Sequence, residues 1–218
     1  NKFTGFIFKI QANMDKKHRD RIAFLRVCSG VFKRNNKIFH TRTGKEIKIS
    51  SPLIFQARDR DIVEEAFPGD IIGLHDSGKY QIGDTFSEGE KIKFTGIPSF
   101  SPEIFAKIIL KDPLKAKQLE KGLIQLSEEG TVQLFTRHTT REKILGAVGQ
   151  LQFEVVKFRL EDEYKVNGIY ESYPFIGVRW PKFTDDNAKN SFIESNANSI
   201  SYDVKSRVCF SYRSEWDL

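Results

Sequence analysis

The sequence predicts a small all-β barrel over residues 1–93, followed by an α+β ferredoxin-like (split βαβ) domain with a C-terminal extension over 94–218. Three observations carry this. Phe67-Pro68-Gly69-Asp70-Ile71-Ile72-Gly73-Leu74 is a Pro-Gly corner feeding an apolar strand, and Ile82-Gly83-Asp84-Thr85 closes the following loop with a Gly-Asp pair. Short apolar segments bounded by turn residues recur through the first half at roughly 8–12-residue spacing, the pattern of a barrel or sandwich. After Lys93 the apolar period lengthens to that of amphipathic helices alternating with strands.

In the first half, strands are expected at Phe3–Ile10, Arg21–Val27, Val31–Phe32, Lys37–Arg42, Glu46–Ile49, Asp70–Leu74 and Gln81–Ile82. Asn35-Asn36 and Thr43-Gly44 supply hairpin turns, because Asn and Gly accept the left-handed backbone region. Asp61–Ala66 is the one stretch expected to make a helical turn. In the second half Ile104–Leu110 reads as a strand. Asp112-Pro113 then places an N-cap before a proline at the first helical position, and Leu119, Leu123 and Leu126 follow at helical spacing to Gly130. Strands at Thr131–Thr136 and Lys143–Val148 flank a polar loop. A second helix over about 149–164 carries Leu151/Val155/Phe158 and Phe153/Val156/Leu160/Tyr164, read as one broad apolar face. Val166–Tyr170 completes the strand-helix-strand-strand-helix-strand order. Strands at Phe175–Trp180 and Val208–Tyr212 bracket an Asn/Ser-rich stretch, 184–202, expected to hold a poorly patterned helix.

The charge is uneven. Residues 1–93 hold 18 Lys and Arg against 12 Asp and Glu, while the remainder balances at 17 against 17. A polyanionic partner such as RNA fits that excess; composition alone serves a solvated basic surface equally well. No apolar run approaches the roughly 18 residues a membrane span needs, and no signal peptide opens the chain. Asn1 is expected to follow from a longer or processed product. The two cysteines, Cys28 and Cys209, sit far apart in strand-like runs and read as free thiols in a reducing cytosol.

Most catalytic chemistry is missing from the pattern. No Gly-x-x-x-x-Gly-Lys-Ser/Thr phosphate loop occurs, and Gly69, Gly73, Gly78 and Gly83 fall at β turns with no helix behind them. Glu64-Glu65 and Glu128-Glu129 are adjacent pairs whose side chains diverge. His18, His40, His75 and His138 are scattered without metal-ligand spacing, and no serine stands in a Gly-x-Ser-x-Gly setting. The expectation is a chain that is no enzyme by itself. Its functional candidates are loop cations: Lys16, Lys17, Arg19 and Arg21 ahead of the second strand, Arg42 and Lys45 about a turn, and Arg58 and Arg60 before the Pro-Gly corner. Such groups engage phosphates by charge and shape without reading sequence.

Several motifs carry a family resemblance. Gly5-Phe6-Ile7-Phe8-Lys9-Ile10, Arg26-Val27-Cys28-Ser29-Gly30 and the two glycine motifs above resemble the second domain of translational GTPases. Lys16-Lys17-His18-Arg19-Asp20-Arg21, Arg42-Thr43-Gly44-Lys45, Phe94-Thr95-Gly96-Ile97-Pro98, Leu110–Lys115, Gln125–Gly130 and Gly146–Phe153 resemble the peptide chain release factor 3 family in particular, over about residues 1–180. The resemblance implies a translation-factor domain II barrel and the domain after it, both from a cytoplasmic, ribosome-dependent GTPase that recycles class I release factors in translation termination. It implies GTP or GDP with magnesium in a G domain lying outside this sequence, and no cofactor within it. The implied partners are small-subunit rRNA, a small-subunit protein near the decoding region and that G domain, with no membrane. The eight loop cations transfer only as candidate rRNA contacts. The alternatives are the equivalent domains of an elongation factor G-like GTPase and a stand-alone RNA-binding module.

Overall fold

A computed structural model describes residues 2–12, 21–56, 59–97 and 100–217. The chain divides into two units, residues 1–98 and 99–218. The first contains β1 (Thr4–Ala12), β2 (Arg21–Ser29), β3 (Phe32–Lys33), β4 (Lys37–His40), β5 (Lys45–Lys48), β6 (Leu53–Gln56), β7 (Asp59–Ile62), β8 (Glu65–Ala66), β9 (Ile71–Asp76) and β10 (Thr85–Ser87). Eight strands form one curled antiparallel sheet ordered β5-β4-β10-β1-β2-β9-β6-β7, with β3–β8 as a separate ladder. Inward residues come from every side: Ile7 and Ile10, Ala23, Leu25 and Val27, Ile38, Ile72, Leu74 and Phe86 share one core with Phe32 and Ala66 of the ladder. A register shift between Ile7 and Lys9 is what brings Ile7 and Ile10, three residues apart, to the same side. The ladder also fastens the sheet's two flanks. Asn35, just past β3, donates to the Ile49 carbonyl at 3.0 Å, and Val63, just before β8, donates to Pro52 at 3.0 Å.

The Pro-Gly corner is a structural lock. Gly69 has φ +102°, which an L side chain resists. Its N–H donates to the Val27 carbonyl while Val27 donates back to Asp70, both at 2.9 Å. Asp70 Oδ2 also accepts from the Phe67 N–H at 2.7 Å. The corner therefore pins the start of β9 to β2.

The second unit contains β11 (Ile104–Leu110), α1 (Ala116–Glu128), β12 (Gln133–Arg137), β13 (Lys143–Ala147), α2 (Gln150–Tyr164), β14 (Gly168–Ser172), β15 (Gly177–Arg179), α3 (Asp186–Ser195), β16 (Ile200–Asp203) and β17 (Val208–Tyr212). Its sheet runs β14-β11-β13-β12-β16-β17-β15. The first four of these are the split βαβ plan, all antiparallel, and the last three are the C-terminal extension. Strand alternation gives this sheet two apolar faces. Ala106, Leu134 and Leu145 meet Leu123 and Leu126 of α1 and Phe153, Val156 and Leu160 of α2. Phe105, Phe135 and Ile144 on the other face meet Phe175, Val178 and Cys209 of the extension. The two helices approach closely because residue 122 is glycine: a Cβ there would lie 2.7 Å from Leu160 Cδ2.

Some expected elements differ. Leu53–Gln56 and Asp59–Ile62 form a hairpin, so Asp61–Ala66 is strand at both ends and not a helical turn. Gln81–Ile82 belongs to the tight loop, and the strand begins at Thr85. Pro113 opens a 3-10 turn, with Asp112 Oδ1 accepting from the Leu114 N–H at 3.0 Å; the α-helix starts at Ala116. The Asn/Ser-rich stretch does hold a helix, α3, capped by Asp185 on the Ala188 N–H at 2.8 Å. On α2 the two rows expected to form one face lie apart: Phe153, Val156 and Leu160 are buried, while Leu151, Val155 and Phe158 are exposed.

Candidate nucleic-acid interface

The sheet register gathers three connections at one end of the barrel. β1 leaves it at Ala12 and β2 returns at Arg21, which sits opposite Asp76 at the end of β9. β4 ends at His40 beside Phe86, next to the loop that enters β10. Between β9 and β10 the loop 77–84 is shaped by two buried aspartates. Asp76 Oδ1 accepts from the N–H groups of Gly78 (2.9 Å), Lys79 (2.7 Å) and Tyr80 (3.1 Å), while Oδ2 takes Arg21 Nη2 at 2.9 Å. Asp84 accepts the Gln81 N–H at 2.9 Å and a two-pronged hydrogen bond from Arg42, Nε at 2.6 Å and Nη2 at 2.8 Å. Arg42 Nη2 also donates to the Lys79 carbonyl at 2.8 Å, tying the β4–β5 turn to the loop.

Electrostatics follow from this packing. Burial alone would push the Asp84 carboxyl up. The Arg42 hydrogen bond, the Gln81 N–H and the nearby His40 and Arg42 charges outweigh it and hold the carboxyl below the usual range. His40 Nε2 lies 2.9 Å from Asp84 Oδ2 but off the line of a hydrogen bond, and its ring stacks on Phe86 at 4.7 Å. Tyr80, half-buried against His40 and Phe86, has its hydroxyl pushed up by burial and by both aspartates. Tyr80 and Phe86 thus close the barrel and offer no stacking platform.

The sequence-derived candidates separate accordingly. Arg21 is a correction: its side chain is 5% exposed and committed to a fully buried Asp76, so it holds the loop and presents no charge at the surface. Arg42 keeps 38% of its side chain exposed although it pairs with Asp84. Lys45 is exposed at the start of β5, and among the described residues no carboxylate pairs with it. Lys16, Lys17, Arg19 and Arg58 lie outside the described residues. Arg60 is placed by its backbone alone, opposite Phe55 on the β6–β7 hairpin, toward the start of β9 and away from Asp76. Sequence reasoning missed exposed Lys79, and it missed Asp76 and Asp84 as the groups that fix this end. Asp-Ser-Gly at 76–78 and Gly-Asp at 83–84 were the available signals.

Neither corner glycine is required by close packing. A Cβ at Gly69 would meet nothing within 4 Å, and one at Gly83 only Ile97 at 3.7 Å. Among the described residues no cluster of three His, Cys, Asp or Glu is placed to hold a metal. None of their helices is long and apolar enough to cross a membrane. Both cysteines are free, and burial pushes the Cys209 thiol up to about 12, which keeps it protonated and inert.

Two family models match successive parts of the chain. Residues 94–218 match the family model described as class II release factor RF3, C-terminal domain. Residues 2–89 match the model of elongation factor G domain 2. A crystal structure of a protein from Thermus thermophilus has the same fold over 84% of this chain, with a TM-score of 0.66 and 22% identity. The match covers 26% of that protein's length.

Proposed function

Because the chain belongs to the class II release factor RF3 family, with a translation-factor second domain ahead of the family's C-terminal domain, we propose that it is the ribosome-docking part of a termination factor. In this reading the barrel end that carries Arg42, Lys45 and Lys79 lies on small-subunit rRNA, and the α+β unit leans on a small-subunit protein. Nucleotide binding and hydrolysis belong to a G domain outside this sequence, and this chain performs no chemistry of its own. Movement of that G domain would change how the two units sit on the ribosome and displace a class I release factor, a population shift read out as recycling. The protein would act in the cytoplasm.

The observation that carries the RNA contact is the division of charge at the barrel end. Two guanidiniums are held by buried aspartates, which fix the loops, while among the described residues no carboxylate pairs with Lys45 or Lys79 on those fixed loops. Rigidly mounted ammonium groups bind phosphate with less ordering cost than mobile ones. Arg42 adds the outer edge of its guanidinium. Backbone cleavage mapping of small-subunit rRNA with the chain bound tests this. The expected result is a protected stretch that disappears in Lys45→Glu and Lys79→Glu; protection unchanged in both variants would overturn the assignment.

A further inference from the structure

Helix α2 is apolar on two opposite sides. Phe153, Val156 and Leu160 face the sheet and are buried. Leu151, Val155 and Phe158 run along the far side at i, i+4, i+7 spacing and are 70%, 41% and 67% exposed. Val148, just ahead of the helix, extends the row and is 44% exposed. Within the helix, which begins at Gln150, the 151, 155, 158 spacing of four and three is that with which one helix seats another. A row of large apolar side chains in water marks an interaction surface.

The surroundings of the row select its occupant. Exposed Glu154, exposed Lys157 and half-buried Glu161 line one edge, two acids against one base, and half-buried Asp162 takes the row's next position. On the other edge Arg159 is consumed by Glu129 at 2.6 Å and Glu163 at 2.5 Å, so that edge offers no positive charge. The net acidic rim repels nucleic acid. It also disfavours a second copy of this chain, since antiparallel pairing of two α2 helices about a two-fold axis sets Glu154 against Glu161 of the other copy. The gain from burying three exposed apolar side chains is opposed by association costs of similar size, so the contact is a reversible one. We propose that the outer row of α2 docks a lysine- and arginine-rich, apolar segment of a protein partner. The inference rests on the ribosome reading above, for which it names the surface of the α+β unit that meets a small-subunit protein.

A photoreactive residue tests this directly. The chain carrying Phe158→p-benzoylphenylalanine is irradiated with isolated small ribosomal subunits, and the products are identified by mass spectrometry. The expected product joins position 158 to one Lys/Arg-rich ribosomal protein. Its yield should fall about tenfold when Leu151→Glu and Val155→Glu are added, and severalfold with Glu154→Lys plus Glu161→Lys. All four positions are at least partly solvated, so unchanged circular dichroism and melting would confirm that the variants fold. Cross-links to rRNA, to a second copy or to the chain's own barrel unit would each overturn the proposal. So would subunit binding that persists undiminished in the glutamate variants. Failure of the unmodified chain to bind subunits at all would instead remove the ribosome reading, and this inference with it.

Discussion

The two units place polar and apolar groups in opposite ways. At the end that carries the β9–β10 loop the barrel buries charge: Asp76 and Asp84 are nearly inaccessible, each gripped by a guanidinium and by at least one backbone N–H. The α+β unit buries apolar layers on both faces of its sheet and still leaves a row of apolar side chains in water on α2. Burial decides role in both. Arg21 is a loop cation by sequence and a core element by structure, whereas Leu151 and Phe158 are core residues by sequence and surface by structure. In the proposed reading the barrel works through the cations left over after its aspartates are satisfied, and the α+β unit through the hydrophobes left over after its sheet is covered.

Substitutions sharpen that contrast. The largest effect is expected from Asp76→Ala, which takes the carboxylate from beside the buried Arg21 guanidinium and leaves the Gly78, Lys79 and Tyr80 N–H groups without their acceptor, and should cost about 3–5 kcal/mol. Calorimetry should assign the whole loss to the barrel's transition and leave that of the α+β unit in place; a single transition shifted as one would break the comparison. Arg42→Gln should cost about 1–2 kcal/mol, below the usual value for a charged hydrogen bond because the side chain is partly solvated. It also moves the pH dependence. Asp84 is depressed in the folded state, so its contribution is present above the ordinary aspartate value of about 3.9 and is lost as pH falls through its folded value. Removing Arg42 raises that folded value, and acid unfolding of the barrel should begin at higher pH than in the parent. Gly122→Ala sets about 1–3 kcal/mol of overpacking against Leu160 and Tyr164 against about 1 kcal/mol of gained helix propensity. A net loss of about 1 kcal/mol is expected, confined to the α+β transition. Leu151→Glu with Phe158→Glu should change stability by no more than about 0.5 kcal/mol; a large loss would mean that the row is already packed in the folded chain.

Local signals made much of this fold readable. Asp112-Pro113 announces a helical start through its own cap, Thr43-Gly44 makes the β4–β5 hairpin turn with Gly44 at φ +67°, and the apolar run Ile104–Leu110 marks β11. Asn35-Asn36, expected as a hairpin, is instead a turn between β3 and β4, which pair with other strands. The Pro-Gly corner is visible because its lock needs only residues 67–70 and one neighbouring strand. The misses share a non-local cause. Arg21 becomes structural through Asp76, 55 positions later. Helix α2 has apolar residues all around, so periodicity could not say which row meets the sheet. β6 follows Pro52 as a short apolar run with no alternation, and its identity comes from pairing with β7 and β9.

The central claim is that the barrel contributes charge and α2 contributes apolar contact to one docking event. The direct test is the salt dependence of equilibrium binding to small ribosomal subunits for three proteins: the parent chain, Lys45→Gln, and Leu151→Glu with Phe158→Glu. The account predicts that the parent's affinity falls log-linearly with salt, that Lys45→Gln lowers the slope by about one, and that the α2 variant binds more weakly with its slope nearly unchanged. Salt-independent binding by the parent, or a slope that α2 controls and Lys45 does not, would contradict it.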